Sequence, residues 1–323
     1  MAARHATPAS SGDGEVQALA ETLVWEILNA AGLPSRAALE ALVRLVLGKA
    51  TMGLARIGVT FERLAASEGF PSACAWALTN WCSRVRGRGT ELVAREGPLL
   101  VVSNHAGAYD SLAIASLLER RDLRIIASDI SFLKHLPQAR SSFIFVTQKV
   151  NERMLGLRAA VRHLSAGGAV LLFGTGLVDP DPEVYDGAEL ELENWSGSID
   201  AILRRVPGCL VSASIVSGIL SRRWARHPLT MLRSAGWQRR RLAEFGQVIE
   251  QLVRPGRHLV APNVSFSPSV PAAQLREEGG TGRWTPAVIA RGRALLDEHM
   301  AWVRGSFADS TLAGPGSVIA VGH

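Results

Sequence analysis

Two textures divide the chain. From Glu15 to about Arg86 apolar residues recur at helical spacing, as in Leu39, Leu42, Val43, Val46 and Leu47, and again in Leu54, Ile57, Phe61 and Leu64. Turn signals at Gly32-Leu33-Pro34-Ser35 and Gly69-Phe70-Pro71-Ser72 cut this stretch into three or four helices. After Gly87-Arg88-Gly89 short β-rich runs alternate with helical segments. The pattern predicts strands at Leu99–Ser103, Leu123–Ala127, Phe143–Thr147, Ala169–Phe173, Cys209–Ile215 and His258–Ser265. Helices are expected at Ser111–Arg120, Ser131–His135, Glu152–Ser165, Ser196–Val206, Arg239–Leu252 and Thr285–Arg304. Such alternation implies an α/β fold, a mostly parallel sheet flanked by helices, with an N-terminal helical module. The expected organisation is a disordered leader (1–14), the helical module (15–86), the α/β domain (87–306) and a glycine-rich flexible tail (307–323).

Composition narrows the class. Hydrophobic residues make up 47% of the 323 positions and charged residues 20%, the balance of a globular protein. Cys74, Cys82 and Cys209 show no metal-ligand spacing and are too few for a disulfide framework, which suggests reduced thiols and a cytoplasmic setting. The N-terminus lacks the apolar core of a signal peptide, and no run approaches the roughly 20 apolar residues of a spanning helix.

Chemistry concentrates in Ser103-Asn104-His105-Ala106-Gly107-Ala108-Tyr109-Asp110, directly after the apolar run Pro98–Val102. A buried strand ending in a small-residue turn presents side chains at a sheet edge, where sites are commonly built. Histidine titrates near neutrality, and a carboxylate bonded to one ring nitrogen leaves the other free to take a proton. The same residues also suit a helix cap at Asp110 and a turn histidine bonded to backbone. A serine hydrolase finds no Gly-x-Ser-x-Gly elbow in the chain.

With the preceding strand and following helix, Asn104-His105 and Asp110 resemble motif I of the glycerolipid (lysophosphatidate or glycerol-3-phosphate type) acyltransferase superfamily. The resemblance implies an α/β domain that moves a fatty acyl group from an acyl-CoA or acyl-carrier-protein thioester to a lipid hydroxyl, without a cofactor. It makes His105 the base and Asp110 its orienter, with Asn104 and Gly107 shaping the turn and bringing backbone N–H groups near the oxyanion. The resemblance extends to about Ser217, through Ala127–Asp129 and Phe132–Pro137, but the substrate-binding motifs depart from the family. In Phe145-Val146-Thr147-Gln148-Lys149, Gln148 stands where motif II has a phosphate-binding arginine, and Lys149 is the nearest cation. Motif III, usually Phe-Pro-Glu-Gly, reads Phe173-Gly174-Thr175-Gly176, so Thr175 replaces the acceptor-binding glutamate. Ser212 stands near the missing motif IV proline. The acceptor is then either a less anionic lipid or another hydroxyl compound, or compensating arginines come from elsewhere.

Two charge runs remain. Seven acids between Asp179 and Glu193, with no basic residue, read as a solvated acidic loop. Residues 221–241 hold seven arginines, Trp224, Trp237 and no acid. Anionic lipid headgroups suit such a segment, and tryptophan favours the interface, which predicts a peripheral protein on the inner face of the cell membrane. Nucleic acid would be attracted as well, but no recognised binding module surrounds the segment. The competing class is a non-catalytic lipid- or nucleic-acid-binding protein that uses these arginines.

Overall fold

A computed structural model of the chain describes residues 11–30, 36–128, 131–146, 150–280, 282–308 and 317–319. Its strands are β1 (Val85–Arg88), β2 (Leu99–Ser103), β3 (Leu123–Ser128), β4 (Phe143–Val146), β5 (Ala169–Phe173), β6 (Leu210–Ser217), β7 (Asn263–Phe266), β8 (Val270–Pro271) and β9 (Ser317–Ile319). They form a single sheet in the order β4-β3-β5-β2-β6-β7-β1-β9, with β8 paired to β6. The pairs among β4, β3, β5, β2 and β6 are parallel, as is β1 with β7. β7 and β8 run antiparallel to β6, and β9 antiparallel to β1.

The helices are α1 (Ser11–Ala30), α2 (Ala37–Ser67), α3 (Phe70–Leu78), α4 (Asp110–Leu118), α5 (Pro137–Ser141), α6 (Val150–Ser165), α7 (Ala188–Glu191), α8 (Ser198–Leu203), α9 (Arg222–Ala225), α10 (Gly236–Val253), α11 (Ala272–Glu278) and α12 (Thr285–Ala308). Both faces of the sheet are covered, which is why β2 and β5 are uninterrupted apolar runs rather than alternating ones. Leu99 and Val101 bury on the face covered by α1 to α4. Leu100 and Val102 bury on the other, against α6, α8, α11 and α12. The helices before the sheet share the first core: Leu19, Ala55, Phe61 and Leu78 pack into the cluster that holds Val101.

The expected strands at Leu99–Ser103 and Ala169–Phe173 form as read, because buried parallel strands announce themselves by composition alone. Other boundaries move. Helix α1 begins at Ser11, inside the expected 1–14 leader, whose residues 1–10 lie outside the described ones. β1 forms inside the stretch read as helical; its four residues are too short to show a period. The strand expected over His258–Ser265 shrinks to Asn263–Phe266: His258 has φ +57°, and Pro262 offers no N–H to a ladder. α12 continues to Ala308, and in the expected flexible tail Ser317–Ile319 forms β9 along β1.

Candidate active site

The carboxyl end of β2 and the first residue of α4 bracket the turn that carries His105 and Asp110. His105 Nδ1 lies 2.8 Å from Asp110 Oδ2. The other Asp110 oxygen accepts the Ser111 N–H at 2.6 Å, so this carboxylate both caps its helix and holds the histidine. The imidazole stacks on Phe173 at the end of β5, with ring centroids 4.4 Å apart and planes inclined by 24°. Among the described residues Nε2 has no hydrogen-bond partner, and the His105 side chain is 27% exposed. A ring held on one nitrogen and open on the other can exchange a proton with a molecule docked beside it.

Electrostatics around the ring is one-sided. Burial pulls the His105 pKa down, but the opposing pull of Asp110, Glu244 and Asp179 prevails and raises it to about 9. Asp179 closes a tight loop with the histidine backbone: it accepts the His105 N–H at 2.9 Å and donates its own N–H to the His105 carbonyl at 2.7 Å. Burial pushes the Asp179 carboxyl up to about 6, against the hydrogen bonds that favour its ionised form.

The other candidate residues divide. Asn104 is consumed structurally: its amide donates to the Val216 carbonyl at 2.9 Å and accepts the Val216 N–H at 2.8 Å, tying the end of β2 to β6. Gly107 donates its N–H to Asp110 at 3.1 Å, so that group is not free for an oxyanion. A side chain there would meet Ile219 Cγ2 at 2.8 Å, which accounts for the glycine. Ala106, Ala108 and Tyr109 are among the turn residues whose N–H groups make no hydrogen bond to another described residue.

Gly174 faces Trp195, whose ring would lie 2.3 Å from an added β-carbon; the glycine serves packing rather than ligand approach. Thr175 donates to Asp179 at 2.6 Å and so helps fix the carboxylate that holds the His105 backbone. Gly176, at φ +70°, has open space around it. Gln148 and Lys149 lie outside the described residues, beyond the end of the edge strand β4. Ser212, near the motif IV position, donates to the Ser267 carbonyl at 2.7 Å in the interior.

The acidic run is not the solvated loop its composition suggests. Asp179 and Asp181 are 3% and 0% exposed. Asp181 accepts N–H groups from Glu183, Gly218, Ile219 and Leu220 and thereby anchors the segment after β6. Glu183 accepts from Ser217 and Asn263. Only the later acids, such as Asp186, Glu189 and Glu193, face solvent. Charge counting missed this because a carboxylate can be buried wherever backbone donors converge on it.

A second residue the sequence does not flag is Glu244 on α10. It is half-buried and its carboxyl carbon would stand 3.9 Å from a β-carbon on Gly107. Burial pushes its pKa up to about 7, partly offset by His105 and Arg241 and reinforced by Asp110.

The arginine-rich segment also resolves into parts. Trp224 is a structural residue: its Nε1–H donates to Glu250 at 2.6 Å and its ring stacks on His227. Arg223 pairs with Glu250, and Arg240 with Glu191 and the Val178 carbonyl. Arg226 and Arg233 are exposed and form no ion pair among the described residues. Between them, the turn Pro228–Leu232 exposes Leu229, Met231 and Leu232, with Trp237 exposed just beyond. No helix among the described residues is long and apolar enough to cross a membrane. The three cysteines are free and buried. A concavity of about 340 Å³ between α11 and α12 is lined by none of the residues around His105.

The crystal structure of the 1-acyl-sn-glycerophosphate (LPA) acyltransferase PlsC from Thermotoga maritima is similar at a TM-score of 0.46 and 15% sequence identity, over 88% of this chain and 97% of that one. No curated protein matches the chain. The family model described as Acyltransferase matches residues 84–204, the stretch that runs from β1 through α8 and holds the His105–Asp110 turn. Residues 84–204 are thus similar to the Acyltransferase family, in keeping with the family that the Asn104–Asp110 motif resembles.

Proposed function

We propose that the protein moves a fatty acyl group from an acyl-CoA or acyl-carrier-protein thioester to a hydroxyl of a (lyso)glycerolipid or related lipid. The observation that carries this reading is the 2.8 Å contact between His105 and Asp110, with Nε2 open, inside the stretch similar to the Acyltransferase family. His105 Nε2 takes the hydroxyl proton as the acceptor oxygen attacks the thioester carbonyl. The C–S bond then breaks, the imidazolium returns the proton to the departing sulfur, and an ester and a free thiol result. Asp110 holds the ring by Nδ1 and stabilises its cationic form. Asp179 positions the His105 backbone, and the unbonded Ala106 and Ala108 N–H groups are the turn donors assigned to the developing oxyanion.

Docking on an anionic membrane, on the cytoplasmic side, suits both substrates. Support comes from the exposed Leu229, Met231 and Leu232 set between exposed arginines, a pairing of apolar wedge and cationic rim.

The test is thiol release on incubation with palmitoyl-CoA or palmitoyl-carrier protein and a panel of lysolipids. His105→Ala should abolish release while the variant still folds cooperatively, its unfolding free energy lower near pH 6 by the roughly 2–3 kcal/mol that the pair with Asp110 contributes. A variant that still releases thiol at the wild-type rate would remove the histidine from its role. Lipid binding without thiol release under any combination would favour the non-catalytic binding protein.

A further inference from the structure

Helix α10 is bolted over the His105–Asp110 turn by one face. Gln251 accepts the Tyr109 hydroxyl at 2.6 Å and donates to the Trp81 and His258 carbonyls. Gln247 donates to the Ile219 carbonyl at 2.8 Å and accepts the Ser221 N–H at 2.7 Å. Glu244 lies one turn earlier on the same face, where residues three and seven apart align. Both glutamines are engaged through amide oxygen and nitrogen alike. Glu244, against Gly107 and facing the pair from across the turn, accepts no hydrogen bond and forms no ion pair among the described residues. A half-buried carboxylate without a donor is disfavoured, and that cost is recovered when a donor arrives. A residue kept only for packing would be better served by glutamine or leucine.

We infer that Glu244 selects the acyl acceptor: it accepts a hydrogen bond from an uncharged head-group hydroxyl beside the reacting one, and it turns away acceptors carrying a phosphate there. This rests on the acyl-transfer reading and names the acceptor class of that same site. The balance of charge supports it. Asp110, Asp179 and Glu244 all act on His105, and Glu191 acts on Asp179 in turn. Among the described residues Arg240 is tied to Glu191 and the Val178 carbonyl, and Arg241, which acts on Glu244, is itself exposed. Thr175, just after β5, carries no charge and its hydroxyl is itself spent on Asp179. A phosphate monoester next to the reacting hydroxyl would face three carboxyl groups, whereas a hydroxyl finds in Glu244 an acceptor with spare capacity.

The experiment compares monoacylglycerol with lysophosphatidate as acceptors for palmitoyl-CoA and palmitoyl-carrier protein, in wild type and Glu244→Gln, whose matched thermal transitions establish folding. Wild type should favour monoacylglycerol by at least about tenfold in kcat/KM. Glu244→Gln should cut that discrimination by about tenfold through KM, and should move the rising limb of the pH profile to lower pH because one carboxyl facing His105 has lost its charge. Direct binding of both lipids to His105→Ala and to the double variant reads the same preference without turnover. A wild type that binds or uses lysophosphatidate better, or a preference that Glu244→Gln leaves untouched, overturns the inference. Loss of thiol release with the binding preference intact would sink acyl transfer and leave the selectivity standing.

Discussion

Replacing Asp110 by asparagine keeps the side-chain volume and removes the charge that faces His105. In the wild type the His105 pKa rises from 6.5 to about 9, which corresponds to roughly 3 kcal/mol of preference for the imidazolium. Asp110 is the largest of the groups that raise it. At pH 7 only about one per cent of the free wild-type protein then holds the neutral base, and kcat/KM climbs with pH until about 9. In Asp110→Asn the limb moves toward 6.5, so most of the histidine is neutral at pH 7, but it is no longer held in the productive tautomer. Asparagine at the corresponding place in a serine protease triad costs about 10⁴ in rate. The deficit of the variant should therefore grow with pH, from about 10–100-fold at pH 7 to its full value, about 10³–10⁴, above pH 9.

Stability carries the opposite trend. A histidine whose folded pKa is raised contributes stability that is complete below pH 6.5 and is lost as pH rises through about 9. The gap in unfolding free energy between wild type and variant should be roughly 2–3 kcal/mol at pH 6 and should narrow toward pH 9.5. A remainder of about 1 kcal/mol reflects the Gly107 and Ser111 N–H groups, of which one asparagine oxygen satisfies fewer. Thiol-release rates from pH 6 to 10 and urea unfolding at the two extremes measure both. A rate deficit independent of pH, or none, would refute the role given to Asp110.

Three further outcomes can be checked. Asp181→Ala strands four backbone N–H groups and should lower unfolding free energy by about 3–5 kcal/mol in denaturant titration, a size incompatible with a solvated surface acid. Met231→Glu with Leu232→Glu should weaken sedimentation with phosphatidylglycerol vesicles at least about tenfold, and Arg226→Ala with Arg233→Ala should remove about 1 kcal/mol per arginine at low salt; unchanged vesicle binding would move the docking face elsewhere.

Local chemistry is legible in the sequence. Leu99–Ser103 and Ala169–Phe173 are continuous apolar runs bounded by turns, and burial on both faces leaves a buried strand no other composition. His105 and Asp110 stand five positions apart across one strand–helix junction, so their meeting needs only that junction to form. What escaped the reading was short or non-local. β1 and β9, with four and three residues, are strands only because they find each other and β7 across the chain.

The surroundings of the histidine belong to the second kind. Asp179 reaches the His105 backbone from 74 positions away, out of a run whose composition resembles a solvent-facing loop. Glu244 arrives on α10 because Gln247 and Gln251 seat that helix over the turn, a contact that leaves no trace in local pattern. Asn104 was marked for the site, yet its amide closes β2 onto β6. Hydrophobic order along a chain dictates which segments become strand or helix, since burial follows a period of two or 3.6 residues. Which polar groups end up beside one another is set by packing between distant segments, and so the company kept by His105, and with it the expected acceptor, emerged only from the folded arrangement.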